Sequence, residues 1–137
     1  MQKHKFLEHT ADIKFQAFGN SLEEVFSNCA TALSKTISNQ RINSTKVRKI
    51  KIKGSDLQNL LYTFLEEFLF LFDSEGFILS EVLNIKIDSG KLLLDAEISG
   101  DSAGNYKINS DVKAITYNEM FIRKEKNKWV AQVVLDV

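Results

Sequence analysis

Carboxylates near both ends of the chain and a lysine on a late apolar run are the residues best suited to chemistry. Asp12 closes the stretch Glu8-His9-Thr10-Ala11-Asp12 and opens an alternating segment on its polar side, with His9 three positions earlier. A hard divalent cation takes carboxylate oxygens held at the end of a rigid element, alongside backbone carbonyls. Thr and Asp also commonly fix turns by bonding nearby amides, and on spacing alone that structural reading is the stronger one. At the other end, Val133-Val134-Leu135-Asp136-Val137 sets a side-chain carboxylate next to an α-carboxylate, and the residues before it are too apolar to dangle. Between them, Asp111 and Lys113 are expected to share a strand face with Ile115 and Tyr117, and a cation there can neutralise phosphate or orient a carboxylate. A strand lysine is more often solvated along its stem.

Other chemistries find little support. The run Lys46, Arg48, Lys49, Lys51, Lys53 lacks the interleaved aromatics that stack bases, so it reads as a solvated or edge strand. There is no glycine-rich nucleotide loop, and the two histidines, His4 and His9, both lie near the start, away from any serine nucleophile pattern. Cys29 is the only cysteine, which excludes an intrachain disulfide and a cysteine-rich zinc site, and it falls within an apolar helical stripe. Eighteen Lys+Arg balance eighteen Asp+Glu, and this zero net charge argues against a general binder of nucleic acid or anionic membrane.

The elements that must position these residues fit one domain spanning 1–137, with 44% hydrophobic residues, no proline and no linker. Strands are expected at 5–8 and 12–18, the second from the alternation of Ile13, Phe15 and Ala17 with polar neighbours. Ser21 and Glu24 form a capping box for a helix whose stripe is Leu22, Val25, Phe26, Cys29, Ala30, Leu33 and Ile37. A strand at 45–53 turns Ile50 and Ile52 one way and lysines the other. Ser55 with Gln58 reads as a second capping box, opening a helix over 56–72 that is apolar on nearly every side at its far end. Such a helix is covered on two sides, as in the middle of a layered fold. Strands follow at 77–79, 82–87 and 91–98, then a loop at 100–104, a long or broken strand at 106–117, and a hairpin of 120–124 with 128–137. The order implies α+β architecture with antiparallel sheets and two main helices. No secretory signal is visible, and the most apolar stretch, 57–72, is too short to span a bilayer, so a soluble, cytoplasmic chain with no membrane partner is expected.

Several stretches together resemble the archease family: Glu8-His-Thr-Ala-Asp12-Ile13 with Phe18-Gly19 and Ser21-Leu-Glu-Glu24, Leu60-Leu61 through Phe68 to Asp73-Ser-Glu-Gly76, Val112-Lys-Ala-Ile-Thr-Tyr117, and Trp129 to Val137. The resemblance implies a layered β/α/β fold and an accessory protein rather than an enzyme. Archeases activate RtcB-type RNA ligases, GTP- and manganese-dependent enzymes of tRNA splicing and RNA repair, by promoting guanylylation of the ligase and multiple turnover. RNA would then be met indirectly, through the ligase. By the same resemblance a divalent-metal site, for Ca²⁺ or for Mn²⁺ or Mg²⁺, maps onto Asp12, Asp136 and Val137, with Lys113 and His9 as further functional residues. The chain departs from the family at Asn118, where many relatives carry His, and at Lys14, where Gly is frequent. Asn cannot exchange a proton near neutrality, so no acid–base role carries over to position 118. Alternatives are a chaperone or binding module for tRNA-modifying enzymes and, last, a small metal-dependent hydrolase.

Overall fold

Alternation in the first half of the chain builds one wall of the molecule. In a computed structural model, which describes residues 2–7 and 12–137, β1 (His4–Leu7) pairs antiparallel with β2 (Ile13–Gly19), and Phe15 and Ala17 of β2 are fully buried. The α-helix α1 (Leu22–Ile37) follows, then β3 (Lys46–Lys53), α2 (Leu57–Glu75), β4 (Phe77–Asp88), β5 (Leu93–Ser102), a single 3-10 turn at Ala103–Asn105, β6 (Ala114–Glu125) and β7 (Lys128–Asp136). One sheet has the order β1-β2-β7-β6 and the other β3-β5-β4, with every pairing antiparallel. Both helices lie between the sheets: α1 packs on β2, β7 and β4, and α2 on β6, β3 and β4. This is the α+β class expected from the element order, in the layered β/α/β arrangement that the resemblance implies.

Ser21 caps α1 as expected, whereas its reciprocal contact and the cap of α2 are shifted by one residue. Ser21 Oγ accepts from the Glu24 amide at 3.1 Å, but the Glu24 carboxylate reaches the Asn20 amide at 3.3 Å rather than that of Ser21. For α2 the cap is Asp56, not Ser55. Asp56 Oδ1 accepts from the Asn59 amide at 2.8 Å, while Asn59 Oδ1 accepts from the Ser55 amide at 3.0 Å. The carboxylate at position 56 is the stronger cap near a helix N-terminus, so the reciprocal pair slides one residue along. Gly76 ends α2 in the left-handed conformation, φ 62°, where a side chain would be strained.

The helix that is most enclosed is α1, not α2. Ten of its residues are buried, among them polar Asn28, Ser34 and Thr36, against six of the longer α2. Small Cys29, Ala30 and Ala32 let both sheets close on α1, and the polar groups find partners. Asn28 Nδ2 donates to the Phe18 carbonyl at 2.7 Å and Ser34 Oγ to the Leu79 carbonyl at 2.7 Å, tying the helix to both sheets. On α2, Phe70 stands 61% exposed, so the far end is not covered all round.

Three strand expectations change. The segments 77–79 and 82–87 are one strand, β4, with register shifts that leave Ser80 and Leu83 without a partner residue. The expected loop at 100–104 is in part strand, because β5 continues to Ser102. There Gly100 is indispensable, since a Cβ would collide with the Ile78 carbonyl oxygen. Conversely, residues 107–113 carry no strand, and β6 starts only at Ala114. This connection is held from below, where the Asn109 amide donates to the Ile37 carbonyl at 2.7 Å.

Candidate functional site

β7 is the reason the two ends of the chain meet. It lies between β2 and β6, so its last residues have a neighbour on each side. Ile13 pairs with Leu135, so Asp12, the residue before Ile13, is carried to the end of β7 where Asp136 lies. On the other side Ala114 pairs with Asp136, and the Lys113 amide donates to the Asp136 carbonyl at 2.8 Å. Leu135 and Ile115 turn into the core, and alternation sends Asp136 to the opposite, solvent side. Asp12 is half-buried, while Lys113, Asp136 and Val137 are exposed.

Three sequence candidates from distant parts of the chain are thus brought to one sheet end, together with Val137. His9 and its neighbours from Glu8 to Ala11 lie outside the described residues. Asp111 does not share a strand face with Lys113, because the backbone is irregular until Ala114. Among the described residues, no three His, Cys, Asp or Glu side chains gather as a metal cluster. What the junction offers is two side-chain carboxylates plus backbone oxygens, a hard donor set that suits Ca²⁺, Mg²⁺ or Mn²⁺ and not a soft metal.

Lys14, two residues from Asp12, is committed elsewhere. Its Nζ lies 3.2 Å from Glu119 Oε1, and its side chain is only 16% exposed. Glu119 sits in a wide bulge where residues 117–120 of β6 face Val133 alone, at a φ of 54° that costs a non-glycine residue some strain. The bulge is held by Gln132 Nε2, which donates to the Glu119 carbonyl at 2.8 Å, and Gln132 Oε1 accepts from Gln16 Nε2 at 2.9 Å. Asn118 is exposed on this bulge, its amide 3.3 Å from Thr116 Oγ1. Tyr117 leaves the sheet edge to stack on Tyr62 of α2, with ring centroids 4.3 Å apart.

The basic run lies on β3, an edge strand of the three-stranded sheet, as its lysines led one to expect. Lys49 and Lys51 lie on the outer sheet face opposite Glu97 and Asp95, so carboxylates interleave the charge. Arg48 is bound to Glu75 at 2.8 Å and lies over the Phe77 ring. Cys29 is fully buried, and burial pushes its thiol far above the usual range, which leaves it inert.

A polar cluster that sequence reasoning missed sits at the end of β5. Buried Asp101 accepts from the Tyr106 hydroxyl at 2.6 Å, Thr45 Oγ1 at 2.7 Å and the Ser102 amide at 2.8 Å. These bonds, Tyr106 first, hold its carboxyl at about 2, below the ordinary 3.8. Tyr106 OH also accepts from the Asn43 amide at 2.9 Å, so the cluster pins the 3-10 turn to the segment entering β3. No pattern marks it in sequence, since Thr45 lies 56 residues from Asp101. The depressed carboxyl binds its proton less readily in the folded than in the unfolded chain. Its stabilising contribution is therefore full above the unfolded value and is lost as pH falls towards about 2. In urea titrations between roughly pH 5 and pH 2, Asp101→Asn is expected to flatten the loss of stability seen in the parent. Equal slopes for the two proteins would show that the cluster contributes nothing to acid sensitivity.

Comparison with known proteins matches residues 4–137 to the model of the Archease protein family (MTH1598/TM1083). The chain is 39% identical over 143 residues to the protein archease of Pyrococcus furiosus, covering all of both chains. It is 37% identical over 141 residues to that of Methanosarcina barkeri, covering 99% of this chain and 97% of the relative. Its fold matches the solution structure of Methanobacterium thermoautotrophicum protein 1598 with a TM-score of 0.81 and 30% identity over the whole of both chains. An archease from Thermotoga maritima, described as a possible chaperone, shares the fold with a TM-score of 0.68 at 21% identity, covering 97% of this chain and 96% of that one.

Proposed function

Because the chain belongs to the archease family, we propose that it is a cytoplasmic activator of an RtcB-type RNA ligase, promoting guanylylation and repeated turnover without a reaction of its own. The observation that supports this most directly is the junction at the end of β7, where Asp12, Asp136 and Lys113 converge although they are far apart in sequence. Asp12, Asp136 and the carboxylate of Val137 would hold a divalent cation, Ca²⁺ or else Mn²⁺ or Mg²⁺, by their hard oxygen donors. Such an ion supplies positive charge that offsets phosphate during guanylyl transfer. The chain's own part is presentation. β7 is hydrogen-bonded on both sides, so its carboxylates are held by a sheet rather than a loop. Lys113, tied by its amide to Asp136, carries a cation that can orient a carboxylate or touch a nucleotide phosphate. The engagement of Lys14 with Glu119 keeps that second cation from neutralising the pocket.

The test counts ligation turnovers by the ligase of the same organism, with GTP, Mn²⁺ and excess cleaved RNA. A substoichiometric amount of this chain is expected to yield many turnovers per ligase. Stimulation that requires a full equivalent would instead favour the chaperone or binding-module reading, with tRNA-modifying enzymes among its clients. No effect at any ratio would refute the activator reading.

A further inference from the structure

Where the edge of the four-stranded sheet meets α2, aromatic side chains stand out of the fold. Phe70 is 61% exposed and Tyr117 49%, and Tyr117 is fixed in place by its stack on Tyr62 and by Asn59 Nδ2, which donates to its hydroxyl at 2.8 Å. Tyr62, Glu66 and Phe70 follow one another at helical spacing, so the ring pair and Phe70 form one stripe with a carboxylate between them. Beside the stripe runs an open groove of about 380 Å³ lined by Glu66, Glu67, Phe70 and Lys113. The Lys113 amide also donates to the Asp136 carbonyl, which sets the groove next to the carboxylate junction.

These rings lie together beside an open groove rather than scattered, and their charge setting narrows what covers them. α2 carries Glu66, Glu67, Asp73 and Glu75 and no Lys, Arg or His; among the described residues Glu75 pairs with Arg48, Glu66 is hydrogen-bonded to Tyr62, and Lys113 lines the groove beside Glu66 and Glu67. Nucleic acid would bring phosphates against Glu66 and Glu67. A second copy meeting this face symmetrically would set the same carboxylates against each other. A protein segment bearing arginine or lysine among apolar side chains meets neither obstacle. It can pair with Glu66 and Glu67 while its guanidinium or aliphatic groups cover the rings.

We infer that the Tyr62–Tyr117–Phe70 stripe, with Glu66 and Glu67, is the surface by which this chain docks on a cationic, apolar segment of its protein partner. The inference rests on the activator reading, in which the partner is an RNA ligase. An enzyme that binds RNA needs basic residues around its RNA site, the sign of charge that Glu66 and Glu67 accept. Docked there, the stripe would bring the adjoining junction up to the same basic region.

The experiment measures the affinity of the full chain for the ligase of the same organism, at low and high salt, alongside activation. Phe70→Ala is expected to weaken binding about 10- to 100-fold, as for a central aromatic anchor. Glu66→Lys is expected to weaken it at least as much at low salt and to remove most of its salt dependence. Lys51→Ala, on the outer face of the other sheet, is the control and should bind normally. Normal affinity and activation by both stripe variants would overturn the docking surface and leave the activator reading standing. A parent chain that neither binds nor activates the ligase would overturn both. Loss of RNA binding, or of self-association, in Phe70→Ala with unchanged ligase affinity would overturn the proposal in favour of those occupants.

Discussion

Asp136→Ala is expected to reduce ligase activation to the level of the ligase alone while leaving the fold intact. The two halves of this expectation have separate causes. The interaction that ties β7 to Lys113 uses the Asp136 backbone carbonyl, which alanine retains, and the Asp136 side chain is exposed. Stability should therefore change by no more than about 0.5 kcal/mol, as at other surface positions. The substitution does remove one of two side-chain carboxylates at the junction, and a hard cation held by so few anionic donors loses much of its affinity with either one. Calorimetric titration with Ca²⁺ and with Mn²⁺ should show this loss directly, and Asp12→Asn should reproduce it. Turnover counting checks the functional half. Full activation by a stably folded Asp136→Ala protein would eliminate the carboxylate junction as the working part of the molecule. Because that variant keeps the aromatic stripe, its affinity for the ligase should fall much less than its activity.

A second large effect is expected at Phe64, where Phe64→Ala should cost about 3–5 kcal/mol. Phe64 is fully buried, packed edge-to-face on Phe68 at 5.0 Å and tilted against Phe26 of α1 at 6.1 Å. It therefore joins the two helices in the layer between the sheets, and truncation leaves a cavity that close-packed neighbours fill only in part. Since whole domains are stable by about 5–15 kcal/mol, this is a large share of the total. The urea midpoint should fall with little change in slope, and the melting temperature by about 10 °C or more. Phe70→Ala, the same change on the same helix at an exposed site, should stay within about 0.5 kcal/mol. Comparable losses at the two positions would contradict the burial that separates them.

That pair of phenylalanines also marks a limit of reading one dimension. The run from Leu57 to Phe72 establishes a helix with a broad apolar surface, yet which phenylalanine is left outside depends on where β6 ends its cover. The greater enclosure of α1 was hidden for a related reason. Asn28, Ser34 and Thr36 look like a solvent face until the second sheet supplies acceptors such as the Leu79 carbonyl. Cap position was legible to within one residue, because Ser55 and Asp56 are both competent and only the local geometry chooses. The continuity of β4 was not, since the bulges at Ser80 and Leu83 interrupt the alternation that reveals a strand.

For the site, the sequence by itself determined the residue types and their local setting: a carboxylate where β2 begins, another after the apolar run of β7, and a lysine before Ile115. Those follow from short-range periodicity, which any segment of the chain carries within itself. Family resemblance joined the two ends in expectation, but no spacing rule could, because pairing between strands more than a hundred residues apart leaves no local trace. Only the tertiary structure decided that β7 lies between β2 and β6, which brings Asp12, Asp136 and Lys113 to one end of the sheet. It also gathered Asp101, Thr45 and Tyr106, and laid Tyr117 on Tyr62. The physical reason is the same in each case: sheet order and register are settled by burial of the whole apolar face at once, and the polar residues at strand ends are carried to wherever that burial puts them.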